Sequence, residues 1–227
     1  MMDRDPTQPE IGSPDWNNTD KQHNKDVAAE TGTTTVGLVT DDGVVIGTDR
    51  KASLGGRVTV HKSVVKVEQV HPTAALTLVG SVGGAQSFID HLRSEASLNQ
   101  YRRSGPLSIP ELAKVAGNFA RGGPFFMINP ILGGVDDEGS HVYTIDPAGG
   151  VMKDDYNVTG SGMPYAYGVL ENRYEPGLSQ TEAKRVARDA IEAAAERDSG
   201  SGNGLVIADI DDEGVEITEY DDYTDEF

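Results

Sequence analysis

Two pairs of helical segments interrupt three blocks of β-branched, turn-punctuated sequence, and that order leaves few ways to bury the apolar residues. Thr34-Thr35-Val36-Gly37-Leu38-Val39 reads as a strand, Asp41-Asp42-Gly43 as a turn, and Val44-Val45-Ile46-Gly47-Thr48 as its hairpin partner. Strands are expected again over 64–67 and 74–79. Residues 86–101 then set Phe88, Ile89, Leu92 and Ala96 near one helical face, and 109–119 do the same with Leu112, Val115, Ala116 and Phe119. Strands return at 131–135, 141–145 and 151–152. A third helix is expected over 164–173. A fourth follows Ser179, whose partner Glu182 completes a capping box, and runs to about Arg197. Residues 205–210 and 215–220 close the chain as a hairpin. Strands this apolar need a second sheet over one face and helices over the other. The order therefore predicts an α+β fold, a four-layer αββα sandwich.

Residues 1–32 do not belong to that pattern. They are polar and proline-punctuated, with little to bury, and read as a disordered leader ahead of one domain over 33–227. The domain ends acidic: between Asp209 and Phe227 stand ten carboxylate residues and no base. Across the chain 37 acidic residues face 19 basic ones, a formal net charge of −18. This balance argues against nucleic acid and anionic membrane surfaces as partners, since both recruit basic patches. The acidic, lysine-poor composition suits either simple solubility or a cytosol of high salt, and the second reading is preferred. No apolar run approaches a membrane span, and the expected location is cytoplasmic. Cysteine is absent, which removes thiol nucleophiles, disulfides and cysteine-ligated metals.

Several motifs fail on inspection. Gly80-Ser81-Val82-Gly83-Gly84 follows a strand as a phosphate loop would, but lacks the Gly-Lys-Ser/Thr ending. Asp209–Gly214 opens like a calcium loop, yet its twelfth position is Tyr220, so it reads as a hairpin turn. Neither Ser161 nor Ser201 sits in a Gly-x-Ser-x-Gly elbow. The five histidines show no ligand spacing, and no metal is expected.

One constellation remains. Gly32-Thr33-Thr34-Thr35-Val36-Gly37 joins leader to strand, Asp49-Arg50-Lys51 ends the first hairpin, and Lys66 follows His61-Lys62. Further on come Gly80, Ile145-Asp146-Pro147-Ala148-Gly149-Gly150, Thr159-Gly160-Ser161-Gly162 and Asp198-Ser199-Gly200-Ser201-Gly202. Taken singly these are strand edges, turns and a surface ion pair. In this order, from Gly32 to about Tyr220, they resemble the catalytic β subunits of the archaeal 20S proteasome core particle.

That resemblance implies the N-terminal-nucleophile (Ntn) hydrolase fold, in agreement with the sandwich read from the elements. It implies that 1–32 is a propeptide cut between Gly32 and Thr33, so that Thr33 becomes a threonine nucleophile carrying its own α-amine as base. Such an amine has an ordinary pKa of about 7.7–8.0, close to working pH. By resemblance Lys66 lies beside Thr33 and pairs with Asp49, while Ser161, Asp198 and Ser201 hold the amine and its water, and Gly80 supplies the oxyanion N–H. Ala52, Val64, Leu78 and Val82 fall at pocket positions, which implies chymotrypsin-like cleavage after apolar residues. The implied protein is a threonine endopeptidase that degrades unfolded polypeptides without a cofactor. Its implied partners are proteasome α subunits and other β subunits in stacked seven-membered rings, and an AAA ATPase regulator. The alternatives are a non-catalytic ring subunit, the simpler bacterial two-ring threonine protease, and another Ntn amidohydrolase acting on small amides.

Overall fold

In a computed structural model of the chain, residues 32–54, 56–103, 105–122, 128–224 and 227 are described. The leader read over 1–32 therefore lies outside the described residues except for Gly32. In chain order the elements are β1 (Thr34–Val39), β2 (Val44–Asp49), β3 (Ala52–Leu54), β4 (Val58–His61), β5 (Val67–His71), β6 (Ala74–Thr77), α1 (Val82–Arg103), α2 (Ile109–Gly122), β7 (Ile131–Asp136), β8 (Gly139–Ile145), β9 (Val151–Asp154), β10 (Tyr156–Gly160), α3 (Met163–Arg173), α4 (Gln180–Ala195), β11 (Leu205–Ile210) and β12 (Val215–Tyr220).

Ten of these strands form two antiparallel sheets, ordered β10-β1-β2-β11-β12 and β5-β6-β7-β8-β9. Strand periodicity divides the side chains between layers. On β2, Val44 and Ile46 enter the layer between the sheets with Ile131, Val142 and Val206, while Val45 turns outward to α3 and α4. On the second sheet Leu76, Leu132 and Ile145 meet Phe88, Leu92 and Leu112 of α1 and α2. The four-layer αββα sandwich of an α+β protein follows. Gly37 and Gly133 let the sheets approach: a Cβ on the first would stand 2.8 Å from Ile131 Cγ2, and on the second 2.8 Å from Val44 Cγ1.

The capping box forms, with Ser179 N–H donating to Glu182 Oε2 at 3.1 Å and Glu182 N–H to Ser179 Oγ at 3.4 Å. Other expectations need correction. No strand spans 64–67: residues 63–66 are irregular and β5 starts at Val67. Val64 N–H is drawn instead to Arg50 O at 2.9 Å, and Lys66 O receives Leu78 N–H at 2.7 Å. Lys66 thus precedes a strand rather than sitting in one. Strand β6 stops at Thr77, so Gly80 lies beyond it, in an isolated bridge with Ile128. Strands β3, β4 and β10 were not anticipated. The last matters most, because it pairs Thr34 with Gly160 and places residue 161 at the start of β1.

Candidate active site

The ends of β1, β2 and β10 converge with the entrance to β11, and residues far apart in sequence meet there. The β1–β2 register sets Thr35 opposite Thr48, so Thr33 and Thr34 overhang Asp49. Thr33 Oγ donates to Asp49 Oδ1 at 2.9 Å and accepts from Lys66 Nζ at 2.7 Å. Lys66 Nζ also lies 2.7 Å from Asp49 Oδ1. All three are buried: Asp49 has no exposed surface, Thr33 retains 2 % and Lys66 5 %. Burial pulls the Lys66 ammonium below its ordinary pKa, outweighing the upward pull of Asp49.

Asp49 holds more than this pair. Its Oδ1 also accepts Thr34 N–H at 2.9 Å, and Oδ2 accepts the N–H groups of Lys51 and Gly202, each at 3.0 Å. On the other side, Thr33 N–H donates to Ser161 Oγ at 3.1 Å, and Ser161 Oγ donates to Asp198 Oδ2 at 2.6 Å. Ser201 Oγ donates to the same oxygen at 2.7 Å and receives the hydroxyl of Thr34 at 2.7 Å. Ser201 thus touches Thr34 directly and connects to Thr33 N through Asp198 and Ser161. Gly160, with φ of +97°, packs so closely that a Cβ there would collide with Thr33 O.

A small cavity of about 30 Å³ opens beside Thr33 and Lys66, lined by Ala52, Val64, Leu78, Gly80, Val82 and Ala85. All four expected pocket residues and Gly80, whose φ is +94°, therefore gather at the hydroxyl. Val64 and Lys66 do so from the irregular segment before β5. A larger cavity of about 610 Å³, lined in part by His71, Leu107, Asp136 and Asp212, contains none of these residues. Thr34, Ser53, Ala85 and the backbone amides of Lys51 and Gly202 were missed by sequence reasoning. Thr34, Lys51 and Gly202 stand inside motifs that assign them no part, and Ser53 and Ala85 stand in none, since contacts set by strand register and loop backbone leave no local pattern. Among the described residues no group of three or more His, Cys, Asp or Glu side chains is arranged to hold a metal ion, and no helix is long and apolar enough to cross a membrane.

Comparison with known proteins places this geometry in context. Residues 29–210 match the proteasome subunit family. The chain is 67% identical to "Proteasome subunit beta" of Halorhabdus utahensis over 97% of its own length and 93% of that protein. It is 63% identical to "Proteasome subunit beta" of Halomicrobium mukohataei, over 98% and 93% of the two chains. With "Proteasome subunit beta 2" of Haloarcula marismortui it shares 62% identity over 96% and 94%. The chain belongs to the proteasome subunit family, and these relatives come from halophilic archaea.

The Asp49–Lys66 contact generates a stability prediction. Asp49→Asn keeps the volume but turns an amide N–H toward buried donors and removes the counter-charge in contact with the lysine. Loss of one partner of a buried pair costs about 3–5 kcal/mol. The denaturant midpoint should fall accordingly, and a midpoint equal to that of the parent chain would show that the pair does not hold these segments together.

Proposed function

We propose that the chain is a catalytic proteasome β subunit, a threonine-type endopeptidase whose nucleophile is Thr33 Oγ. The observation that carries this reading is the position of that hydroxyl, in hydrogen-bond contact with both Lys66 and Asp49 at the mouth of an apolar cavity. Membership of the family implies assembly with α and β subunits in rings. We extend this to stacked rings enclosing a chamber in the cytoplasm, to an ATPase regulator that feeds it, and to unfolded polypeptides as substrates.

A threonine hydroxyl needs a base. While Gly32 is still attached, Thr33 N is an amide and cannot serve. Lys66 Nζ touches Oγ, and its lowered pKa makes the neutral amine more accessible than on a free lysine. In the first reaction Thr33 Oγ attacks the carbonyl carbon of Gly32 and its proton passes to Lys66. The C–N bond breaks, and that proton moves to the departing Thr33 nitrogen. Water then hydrolyses the Gly32 ester, leaving a leader carboxylate, the Thr33 hydroxyl and a free α-amine. Substrates follow the same course: an acyl ester on Thr33 Oγ, departure of the new amine, and hydrolysis by water. The freed α-amine now shares the base function with Lys66. Gly80 is assigned as oxyanion donor from its place in the cavity wall.

The non-catalytic alternative is disfavoured because Thr33, Asp49, Lys66, Ser161 and Asp198 are all present and in contact. The family match disfavours an amidohydrolase of small amides. Thr33→Ala tests the central claim. Assembled with its α partner alone, it should retain residues 1–32 by intact mass and hydrolyse no peptide. Removal of the leader by that variant would sink the self-cleavage reading.

The pH dependence of leader removal isolates Lys66, because no free α-amine exists at that stage. Its neutral fraction rises as pH climbs through a pKa lowered from 10.5, so the rate should rise with pH and level off below that value. A rate that ignores pH across the neutral and alkaline range would remove Lys66 as proton acceptor.

Specificity follows from the cavity lining. Ala52, Val64, Leu78, Val82 and Ala85 offer no partner to a charged side chain, whose burial would cost several kcal/mol. The cavity now holds about one water's volume, so a tyrosine or leucine enters only as the exposed Val82 edge gives way. Cleavage after tyrosine, phenylalanine or leucine should outpace cleavage after arginine or aspartate in kcat/KM, and Leu78→Arg should shift preference toward acidic residues. Equal rates after arginine and tyrosine in the parent chain would defeat the pocket assignment alone.

A further inference from the structure

The acidic end of the chain bears on the site through one cation. Strand β11 begins between β2 and β12, with Leu205 opposite Asp49 on one side and Tyr220 on the other. The Arg50 side chain reaches past that strand end. Its Nη1 donates to Asp221 Oδ1 at 2.5 Å and to Tyr220 O at 3.2 Å, and its Nη2 donates to Glu219 Oε2 at 2.7 Å. Ion pairs exposed on both sides contribute little, but here the guanidinium is buried and would lose its acceptors. The backbone of the same residue completes the link. Arg50 N–H donates to Gly202 O at 3.1 Å, and Gly202 N–H donates to Asp49 Oδ2 at 3.0 Å. Between Gly202 and Gly204, Asn203 has a φ of +67°, a left-handed conformation that neighbouring contacts must hold. The same C-terminal stretch supplies one of them: a Cβ on Gly204 would collide with Tyr220 O and stand 2.8 Å from Asp221 C.

We propose that Arg50, clamped by Glu219 and Asp221, is a positioning residue that braces the 202–204 loop and so keeps Gly202 N–H on Asp49 Oδ2. The two carboxylates are positioning residues in turn, and the acidic C-terminal end does more than keep the chain soluble. None of the three lines the apolar cavity, so each acts on the chemistry only through Asp49 and the lysine paired with it. This inference rests on the threonine reading above.

The test follows leader removal by intact mass, as a function of pH, after the full-length chain is mixed with its α partner. At that stage Lys66 is the proton acceptor, and Asp49, Asp198 and Lys51 are the charges that bear on it. An Asp49 carboxylate with one donor fewer draws the ammonium more strongly, so Lys66 gives up its proton at higher pH. The double variant Glu219→Ala, Asp221→Ala should therefore move the rise in rate to higher pH. At neutral pH it should slow removal about fivefold, the kinetic equivalent of one hydrogen bond. The direct electrostatic effect has the opposite sign, because deleting two anions favours the neutral lysine and moves the rise to lower pH. Arg50→Lys keeps the charge but loses the fork, and should also shift the rise upward. It decides alone if the double variant does not assemble. Glu213→Ala, on the turn of the same hairpin, should match the parent chain. A rise that stays in place or moves to lower pH, or an equal upward shift in Glu213→Ala, would overturn the brace and leave the threonine reading intact. A parent chain that never sheds its leader would sink the threonine reading, and this inference with it.

Discussion

Everything at the site hangs on a carboxylate that has given up all contact with water. Asp49 would be costly to bury as an ion, and the chain compensates by surrounding it with donors: Thr33 Oγ–H, Thr34 N–H, Lys51 N–H, Gly202 N–H and the Lys66 ammonium. These five donors come from four stretches of backbone. The start of β1, the end of β2, the loop into β11 and the irregular segment before β5 are therefore tied to one side chain. The sandwich supplies the approximate convergence through strand register. The carboxylate converts it into distances of 2.7–3.0 Å, on which the proposed proton transfer depends.

Much of the scaffold was legible because its signals are local. The capping box at Ser179 and Glu182, the hairpin of β11 and β12 and the alternation of β2 all depend on near neighbours in sequence, and each formed. The failures share a cause. Val64-Val65 carries strand propensity, but its backbone is claimed by Arg50 from another segment. Strand β10 has a single fully apolar residue, Val158, and is held by pairing to β1 while Tyr167 donates to Asn157 Oδ1 at 2.9 Å. Strand β4 is exposed throughout and buries nothing that a pattern could register. The site was harder still. Asp49 and Lys66 could have been a surface pair, and only their order relative to Thr33 and Ser161, matched to a known family, placed them together.

The chain's acidity acts on a different length scale from the site. A formal charge of −18 repels itself over distances that salt removes, since the Debye length falls to about 3 Å at ~1 M. Buried contacts are affected far less. Arg50, next to Asp49 in sequence, is buried yet bonded to Glu219 and Asp221 on the acidic C-terminal side, and its N–H donates to Gly202 O. The acidic end of the chain is thus also a lid on the cation beside the site. Salt weakens long-range repulsion far more than short-range attachment. An acidic protein in concentrated salt loses the first while keeping most of the second.

Ser161 links the two stages of the proposed chemistry. A serine hydroxyl has one proton, and the 2.6 Å contact with Asp198 Oδ2 commits it to the carboxylate. The lone pairs of Ser161 Oγ then face Thr33 N, which donates across 3.1 Å as an amide. When the Gly32–Thr33 bond breaks, that nitrogen becomes an amine with further protons and a lone pair of its own. Ser161 can keep accepting from it without reorienting, because Asp198 fixes its polarity in both states. The amine's lone pair is consequently turned away from Ser161 and left for the hydroxyl proton of Thr33. An acceptor arranged for the uncut chain thereby orients the base that exists only after cutting.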